Sequence, residues 1–390
     1  MRKIEMIKDA ANTVYDRVII KHRRNTEIKK FKDKRRIAIY NQIQLTQDQK
    51  KAIDAFYVQY YGKKVPYVWH RHFTAYTGRF DVRYFPELLA IPEFERFMNP
   101  YEDYVRVFGD KNILPMLAQT AGVKMPETVI SVAKGLYRDG NYNLITQDDA
   151  VKLINTEGKV FIKPSVDSSS GDGCAILDVH EGVDRKTGNA LISILNSMGR
   201  DFVVQKLVKC HKSISDIYSG SVNTFRIITY RWNDKIEHCP VIMRIGRGGN
   251  CLDNAHAGGM FIAVNDDGTL HKTAFTEFRD AYDVHPDTQI VYDGYKIEHF
   301  DEVIKSAKKM HEAIPQIGMV NWDFTIDQDG VPTMIEANTM GGSVWLAQMA
   351  HGQGIFKENT AEILKYIAEM KKLTPRERSN KYWKIIENWK

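Results

Sequence analysis

Between Met319 and Gly342 the chain reads MVNWDFTIDQDGVPTMIEANTMGG, and few folds can accommodate such a stretch. Val320, Trp322, Phe324 and Ile326 alternate with Asn321, Asp323 and Thr325. That period of two predicts a half-buried strand. Asp329-Gly330 supplies a tight turn, and Pro332 to Asn338 supplies a second strand. Glu336 and Asn338 stand two residues apart, so they share one face of that strand. If the hairpin pairs, Asp323 joins them. Three oxygen ligands then converge on one point, a set suited to Mg²⁺, a hard cation that often shares its shell with substrate phosphates. The plainer alternative is a set of solvated polar residues and turn formers.

The rest of the chain narrows that choice. Its 390 residues are 43% hydrophobic and 27% charged, the composition of a soluble protein of two or three domains. No apolar run is long enough for a membrane span and no signal peptide opens the chain, so a cytoplasmic location is expected. Cys174, Cys210, Cys239 and Cys251 lack paired spacing, which points to neither zinc nor a disulfide framework. The net charge of +6 is unevenly spread. Residues 1–40 hold 13 Lys and Arg against 5 acidic residues, and 371–390 hold 7 against 2, which leaves the middle acidic. Basic ends suit peripheral contact with an anionic membrane, or they are solvated helix faces. The acidic middle and the absence of a recognition module argue against nucleic acid.

In chain order, residues 1–40 read as helix, with Ile4, Ile7, Ala11, Val14 and Val18 at helical spacing. These apolar residues either face a membrane or pack on the next domain, while KHRRNTEIKKFKDKRR is too charged to be core. In YVWHRHFTAYTGRFDVRYFPELL, Arg71 and Arg79 among aromatics suit an anionic or sugar-like acceptor, or the segment is a packed helix and loop. His70 and His72 lack a third ligand at a recognisable spacing. From Asp110 a helix containing Pro115, a strand, a helix capped near Thr146 and the strand KVFIKPS follow. Lys163 ends that strand and opens a Ser/Gly loop, Ser168, Ser169, Ser170 and Gly171 included, before AILDV returns as a strand. Such a loop can wrap phosphate oxygens with its backbone N–H groups, or it is a mobile linker. Neither a Walker A loop nor a Rossmann fingerprint is present.

SVNTFRIITYRW and HCPVIMRIGRGG read as paired strands carrying Arg226, Arg244 and Arg247. Three guanidinium groups near a carboxylate cluster suit phosphate and carboxylate handling. GRGGNCLDNAHAGGM then gives backbone freedom around Asn254, and its His256 is either a base or structural.

Taken in order, Lys111, the strand with Lys163 and its loop, VVQKLV, Arg226, and Asp323 with Glu336-x-Asn338 resemble the ATP-grasp superfamily over about Asp110 to Lys365. SVNTFRI, MRIGRGG…DNAHAGG, NWDF…IEAN and the upstream WHRHFTAYTGRFDVRYFPE resemble its proteins associated with sugar transfer and surface polysaccharide. The resemblance implies an α+β ATP-grasp fold, two subdomains clasping ATP, with a mostly helical N-terminal domain. It implies a basic helical segment at 1–45, a substrate domain at 46–110, a lid-side subdomain at 111–215, a metal-binding subdomain at 216–370 and a basic aromatic tail at 371–390.

The same resemblance assigns Lys111 and Lys163 to the ATP phosphates and Ser168 to Gly171 to the covering loop. Gln205, Lys206, Leu207 and Val208 fall on the adenine hinge, with Gln205 where the family often has Glu. No carboxylate stands clearly at the ribose position, Asp216 being the candidate. Asp323, Glu336 and Asn338 fall on the ligands of Mg²⁺, as two ions, and Arg226 and Arg244 on catalytic arginines. Arg247, Asn254, Arg71 and Arg79 are the acceptor-side candidates. The implied activity is an ATP-dependent ligase that joins a small carboxylate to an amine through an acyl phosphate, acting on a sugar, nucleotide-sugar or glycan substituent. The alternatives are a kinase on the same fold and a non-catalytic nucleotide-binding component of polysaccharide assembly.

Overall fold

The computed structural model describes residues 2–100, 102–166 and 172–387. The chain opens with α1 (Arg2–Lys30) and α2 (Lys34–Asn41), so the segment expected as one helix is two. Asp33 makes the break: its extended backbone ends one helix, and its carboxylate accepts the Arg35 N–H to cap the next. α3 (Gln47–Tyr61) follows a full capping box between Thr46 and Gln49 and stops at left-handed Gly62. α4 (Val68–Thr77) buries Trp69, His70, His72 and Phe73. The expectation that the charged run at 21–36 lies outside the core is corrected, because Phe31, Glu27 and Arg36 are all buried. Ile4, Ile7, Val14 and Val18 are exposed among the described residues.

Two antiparallel sheets follow. The first has β1 (Thr128–Ala133), β2 (Leu136–Asp139), β3 (Leu144–Ile145), β4 (Lys159–Pro164), β5 (Ala175–His180), β6 (Val183–Asp184) and β7 (Phe202–Lys206), in spatial order β3-β2-β1-β7-β4-β5-β6. The helices Gln147–Glu157, capped by Thr146, and Leu191–Ser197 supply Ala150, Ile154, Leu191 and Leu195 to its core. The helix before this sheet, Leu114–Ala121, contains Pro115 in its first turn, as expected, where proline has no intrahelical N–H bond to lose.

The second sheet has β8 (Thr224–Trp232), β9 (Lys235–His238), β10 (Val241–Ile245), β11 (Met260–Val264), β12 (Ala274–Thr276), β13 (Ala281–Tyr282), β14 (Met319–Ile326) and β15 (Pro332–Asn338). They run β13-β12-β11-β10-β8-β14-β15, with β9 also on β8. One face buries Phe225, Ile227, Met243, Trp322 and Phe324 under the helix Phe300–Glu312. Residues on the other face, Ile228, Tyr230, Ile242 and Phe261, share a core with Tyr57, Trp69, Phe73 and Phe94 of the N-terminal helices and with Trp345 and Ile363. Every residue of β14 is therefore buried, where half-burial was expected.

Three side chains of the N-terminal region hold the open end of the β14–β15 hairpin. Asn99 donates to the carbonyls of Met319 and Thr339 and accepts from the N–H groups of Gly318 and Met319, at 2.8–2.9 Å. Glu95 accepts from Gly341 and Gly342 at 2.7 and 2.8 Å, and Glu87 accepts from Val344. Gly342 has no room for a side chain, because a Cβ there would lie 1.8 Å from the Asn321 amide. Glu95 ends a π-helical segment, Ala90–Glu95, whose preceding residue but one, Glu93, pairs with Arg24 and Lys371. The C-terminal helix Pro375–Glu387 docks on α1 through Arg376–Asp9 and a buried Arg378–Asp16 pair.

Candidate active site

Strand register sets the chemistry in a row. Arg226 on β8 faces Asp323 on β14, and Asp323 faces Glu336 on β15. Arg244 on β10 faces Thr224, two residues before Arg226, and Asn338 faces Asn321. Because strand side chains alternate, Thr224, Arg226, Arg244, Asp323, Glu336 and Asn338 all emerge on one face.

These groups are tightly paired. Arg226 donates to both oxygens of Asp323, from Nε at 2.6 Å and Nη2 at 3.1 Å. Arg244 Nη2 lies 3.3 Å from the same carboxylate, and Asn338 Nδ2 lies 3.5 Å from it. Arg244 also donates to Thr224 Oγ1 at 3.0 and 2.7 Å and sits 3.5 Å from Asp253, which accepts from Thr224 N–H. Burial alone would raise the Asp323 pKa, yet the two guanidiniums hold it below the usual carboxylate range. The arginines expected at the transferred phosphoryl group thus also neutralise an expected metal ligand. The bidentate fork, which a lysine cannot make, fixes both side chains.

Lys111 and Lys163 reach this row from the other half of the molecule. Lys111 Nζ is 3.4 Å from Glu336 Oε1, and Lys163 Nζ donates to the Ile335 carbonyl at 3.4 Å. Burial pushes the Lys163 ammonium down to about 8, with Glu336 opposing that shift and Lys111 adding to it. The covering-loop residues Ser168, Ser169, Ser170 and Gly171 lie outside the described residues. Gln205 is buried in the middle of its sheet, between Thr128 and Phe161, with its amide toward the Pro126 carbonyl. Lys206 pairs with Glu127 and Glu157. Leu207 and Val208 have left the strand, and the chain rejoins structure where Cys210 bridges to Asp327 of the second sheet. That stretch is the connector between the sheets. Asp216 is half exposed and paired with Lys212.

The oxygen donors fit Mg²⁺. Glu336 keeps a part-exposed carboxylate and Asn338 keeps its carbonyl oxygen, while Asp323 Oδ1 accepts only from Arg226 Nε among the described residues. A carboxylate has about four lone-pair sites, so Asp323 can share. Mg²⁺ completes its shell with waters and phosphates.

The structure brings the acceptor-side candidates together only in part. A cavity of about 190 Å³ opens beside the arginines and includes Arg226, Arg244 and Asn254 in its wall. Arg71, Arg79 and Arg247 are not in that wall. Arg71 bonds the Ile43 carbonyl and Asn41, Arg79 is exposed, and Arg247 bonds the Gly258 carbonyl and Tyr282. The helical region contributes Arg36 and His72 to that wall, the turn after β12 contributes Glu277, and the segment after the hairpin contributes Ser343 and Trp345. Sequence reading missed Arg36 because it stands within a basic run. Its one local signal is the i,i+3 spacing to Ile39, the other buried residue of α2. His70 and His72 are core: burial pushes His70 down to about 4 and His72 to about 3.

A model of the sugar-transfer associated ATP-grasp family matches residues 91–363. The chain belongs to that family. Solved structures with similar folds include a carboxyaminoimidazole ribonucleotide synthase from Aspergillus clavatus complexed with ATP, at 12% identity, 63% of this chain, 48% of that chain and a TM-score of 0.38. The VanG D-Ala:D-Ser ligase from Enterococcus faecalis matches at 12% identity over 67% of this chain and 61% of its own, with a TM-score of 0.40. D-alanine–D-alanine ligase from Bacillus anthracis matches at 14% over 70% of each chain, TM-score 0.37. The chain spans about half the length of the solved chains it matches first. No curated protein matches. The fold of this ATP-grasp protein is α+β, two sheets with their helices and a helical N-terminal region.

Proposed function

We propose that this ATP-grasp protein is an ATP-dependent carboxylate–amine ligase acting in cell-surface polysaccharide biosynthesis. The observation that carries the reading is the single row in which Lys111, Glu336, Asp323, Arg226 and Arg244 follow one another, beside a cavity walled by the same two arginines. ATP would lie between the sheets, with its adenine at the 205–208 connector and its phosphates toward Lys111 and Lys163. A carboxylate oxygen attacks the γ-phosphorus, the bond to ADP breaks, and an acyl phosphate forms. An amine then attacks the acyl carbon and phosphate leaves. Nearly all of the catalytic effect is positioning and charge stabilisation, which accords with a site rich in guanidinium and ammonium groups and without an activated nucleophile. Asp323, Glu336 and Asn338 would hold Mg²⁺, which when bound neutralises charge on the phosphates. The sugar-transfer description of the family supports a sugar or amino-acid substituent of a glycan as the product.

The test is ADP release over a panel of amino acids, sugar acids and amino sugars. Release should need both a carboxylate and an amine, and Asn338→Ala should abolish it with the melting temperature nearly unchanged. Phosphorylated product with no amine requirement would replace the ligase by a kinase, and no release with any pair would remove both. Ile4, Ile7, Val14 and Val18 exposed among the basic residues of α1 support peripheral contact with an anionic membrane. Sedimentation with phosphatidylserine vesicles should then weaken when these four become Ser. Among the described residues no helix is long and apolar enough to cross a membrane.

A further inference from the structure

The cavity holds one group that the reaction above does not yet use. His256 lies in the short 3-10 turn Ala255–Ala257, whose N-cap is Asn254, and the turn ends at left-handed Gly258. The next residue, Gly259, closes the loop so tightly that a Cβ there would stand 2.3 Å from the Asp253 carbonyl. Asp253 anchors the same loop to Thr224 and Arg244. His256 is therefore fixed relative to the arginine row and not carried on a free loop.

Its ring is oriented as well. His256 Nδ1 lies 2.6 Å from Glu277 Oε2, and the other oxygen of Glu277 is held by Arg36 in a buried pair. Arg36 is itself pinned, donating to the Lys30 carbonyl at 3.0 Å and stacking 4.7 Å from the Trp345 ring. Burial would raise the Glu277 pKa, yet the bond to His256 and the charges of Arg36 and Arg35 hold it low. An ionised Glu277 selects the tautomer with the proton on Nδ1, which leaves the Nε2 lone pair as acceptor. The His256 side chain is about half exposed and lines the cavity, and Nε2 has no partner among the described residues. A base oriented by a third group, beside the reacting centre, is the arrangement that activates a nucleophile.

We propose that the Arg36–Glu277–His256 cavity is the acceptor subsite, that it admits the amine-bearing end of the acceptor, and that His256 Nε2 is its general base. The inference rests on the ligase reading. The acceptor ammonium gives one proton to Nε2, and the freed amine nitrogen bonds to the acyl carbon. The carbon–oxygen bond to phosphate then breaks, and the nitrogen's second proton leaves with the phosphate. His256 is the catalytic residue in this step, while Glu277 and Arg36 are positioning residues acting through it.

Hydroxylamine separates this step from the one before, because it is largely unprotonated at neutral pH and captures an acyl phosphate without a base. The measured quantity is the ratio of amine-dependent to hydroxylamine-dependent ADP release on the same carboxylate. His256→Gln should lower that ratio by about 100-fold, and Glu277→Gln should lower it in the same direction by less. A ratio is unaffected by the fraction of folded protein, and the exposed position of His256 makes its variant a mild one. A His256→Gln ratio equal to that of the parent protein overturns the inference. A parent protein that forms hydroxamate but uses no amine overturns it while leaving acyl phosphate formation in place. Hydroxamate from no carboxylate overturns the ligase reading, and the inference with it.

Discussion

In the first sheet the working group is a lysine at a strand end, Lys163, which burial has stripped of part of its affinity for a proton and which touches the second sheet through one 3.4 Å bond. In the second sheet the corresponding groups are Asp323, Arg226 and Arg244, locked to one another by bonds of 2.6–3.3 Å and set on three strands with no exposed residue. Both sheets are antiparallel, and their backbones bond in the same way. They differ in what backs them. The first is covered by two short helices, whereas the second has a helical layer on each face. On the proposed function the difference separates two tasks of a nucleotide site: one half is pre-organised around the chemistry, and the other brings a cation to it.

That contrast is broken most severely by Asp323→Ala. It leaves the part-buried Arg226 without its carboxylate and Arg244 with Asp253 alone, and breaking a buried pair costs about 3–5 kcal/mol. Calorimetry should show a large fall in melting temperature together with loss of ADP release. Lys163→Met removes a charge that burial already disfavours, so in the same measurements it should weaken ATP binding and move the melting temperature little. A large destabilisation by the lysine variant would erase the distinction between the halves.

Asn99→Ala comes next. Four bonds to the hairpin end are lost at once, leaving buried N–H and C=O groups unpaired. At about 1–3 kcal/mol for each such group, urea unfolding should report a loss of about 3 kcal/mol or more, though Asn99 touches no predicted ligand.

The smallest effect is a pH dependence. Burial pushes Glu95 up to about 7, against the pull of the Gly341 and Gly342 N–H groups. It pushes Glu87 up to about 8, with Glu27 adding to the shift. Free in the unfolded chain these carboxyls lose their protons near 4.5. Between those values the folded chain holds more protons, so their contribution to stability is complete below about 4.5 and is lost as pH rises through 7 to 8. Melting temperatures measured from pH 5 to 8.5 should decline through this window, and Glu95→Gln should flatten the decline. An unchanged slope in that variant would mean that the tether to the hairpin is not what titrates.

Much of this was legible in the sequence because the relevant patterns are local. The alternation around Trp322, the Asp329-Gly330 turn and the Thr146 cap each predict their element from a few neighbouring residues. The grouping of Asp323 with Glu336 and Asn338 follows from strand period and hairpin pairing alone. The wall of the cavity was not legible. Arg36, Glu277 and Trp345 come from three distant segments, and only the packing of the helical region on the second sheet brings them together. Arg71 and Arg79 lie outside that wall, and an arginine between aromatics has the same local signature whether it faces a cavity or a neighbouring loop. Full burial of β14 was hidden as well, since the Asp323 carboxylate is satisfied by Arg226 on the neighbouring strand.

The π-helical segment Ala90–Glu95 sets a rule about length. In an α-helix each residue turns the next by about 100°, from 3.6 residues per turn. Glu87 and Glu95 both reach the segment that follows the hairpin, while Glu93 points toward α1 and Lys371. Deleting one residue between 90 and 95 would restore the ordinary pitch and swing Glu95 off its partners, even if the deletion spared every named side chain. The spacing of that short segment is thus dictated by backbone N–H groups lying 246 residues further along the chain. For anyone grafting, shortening or aligning this protein, the count of residues there is as informative as their identity.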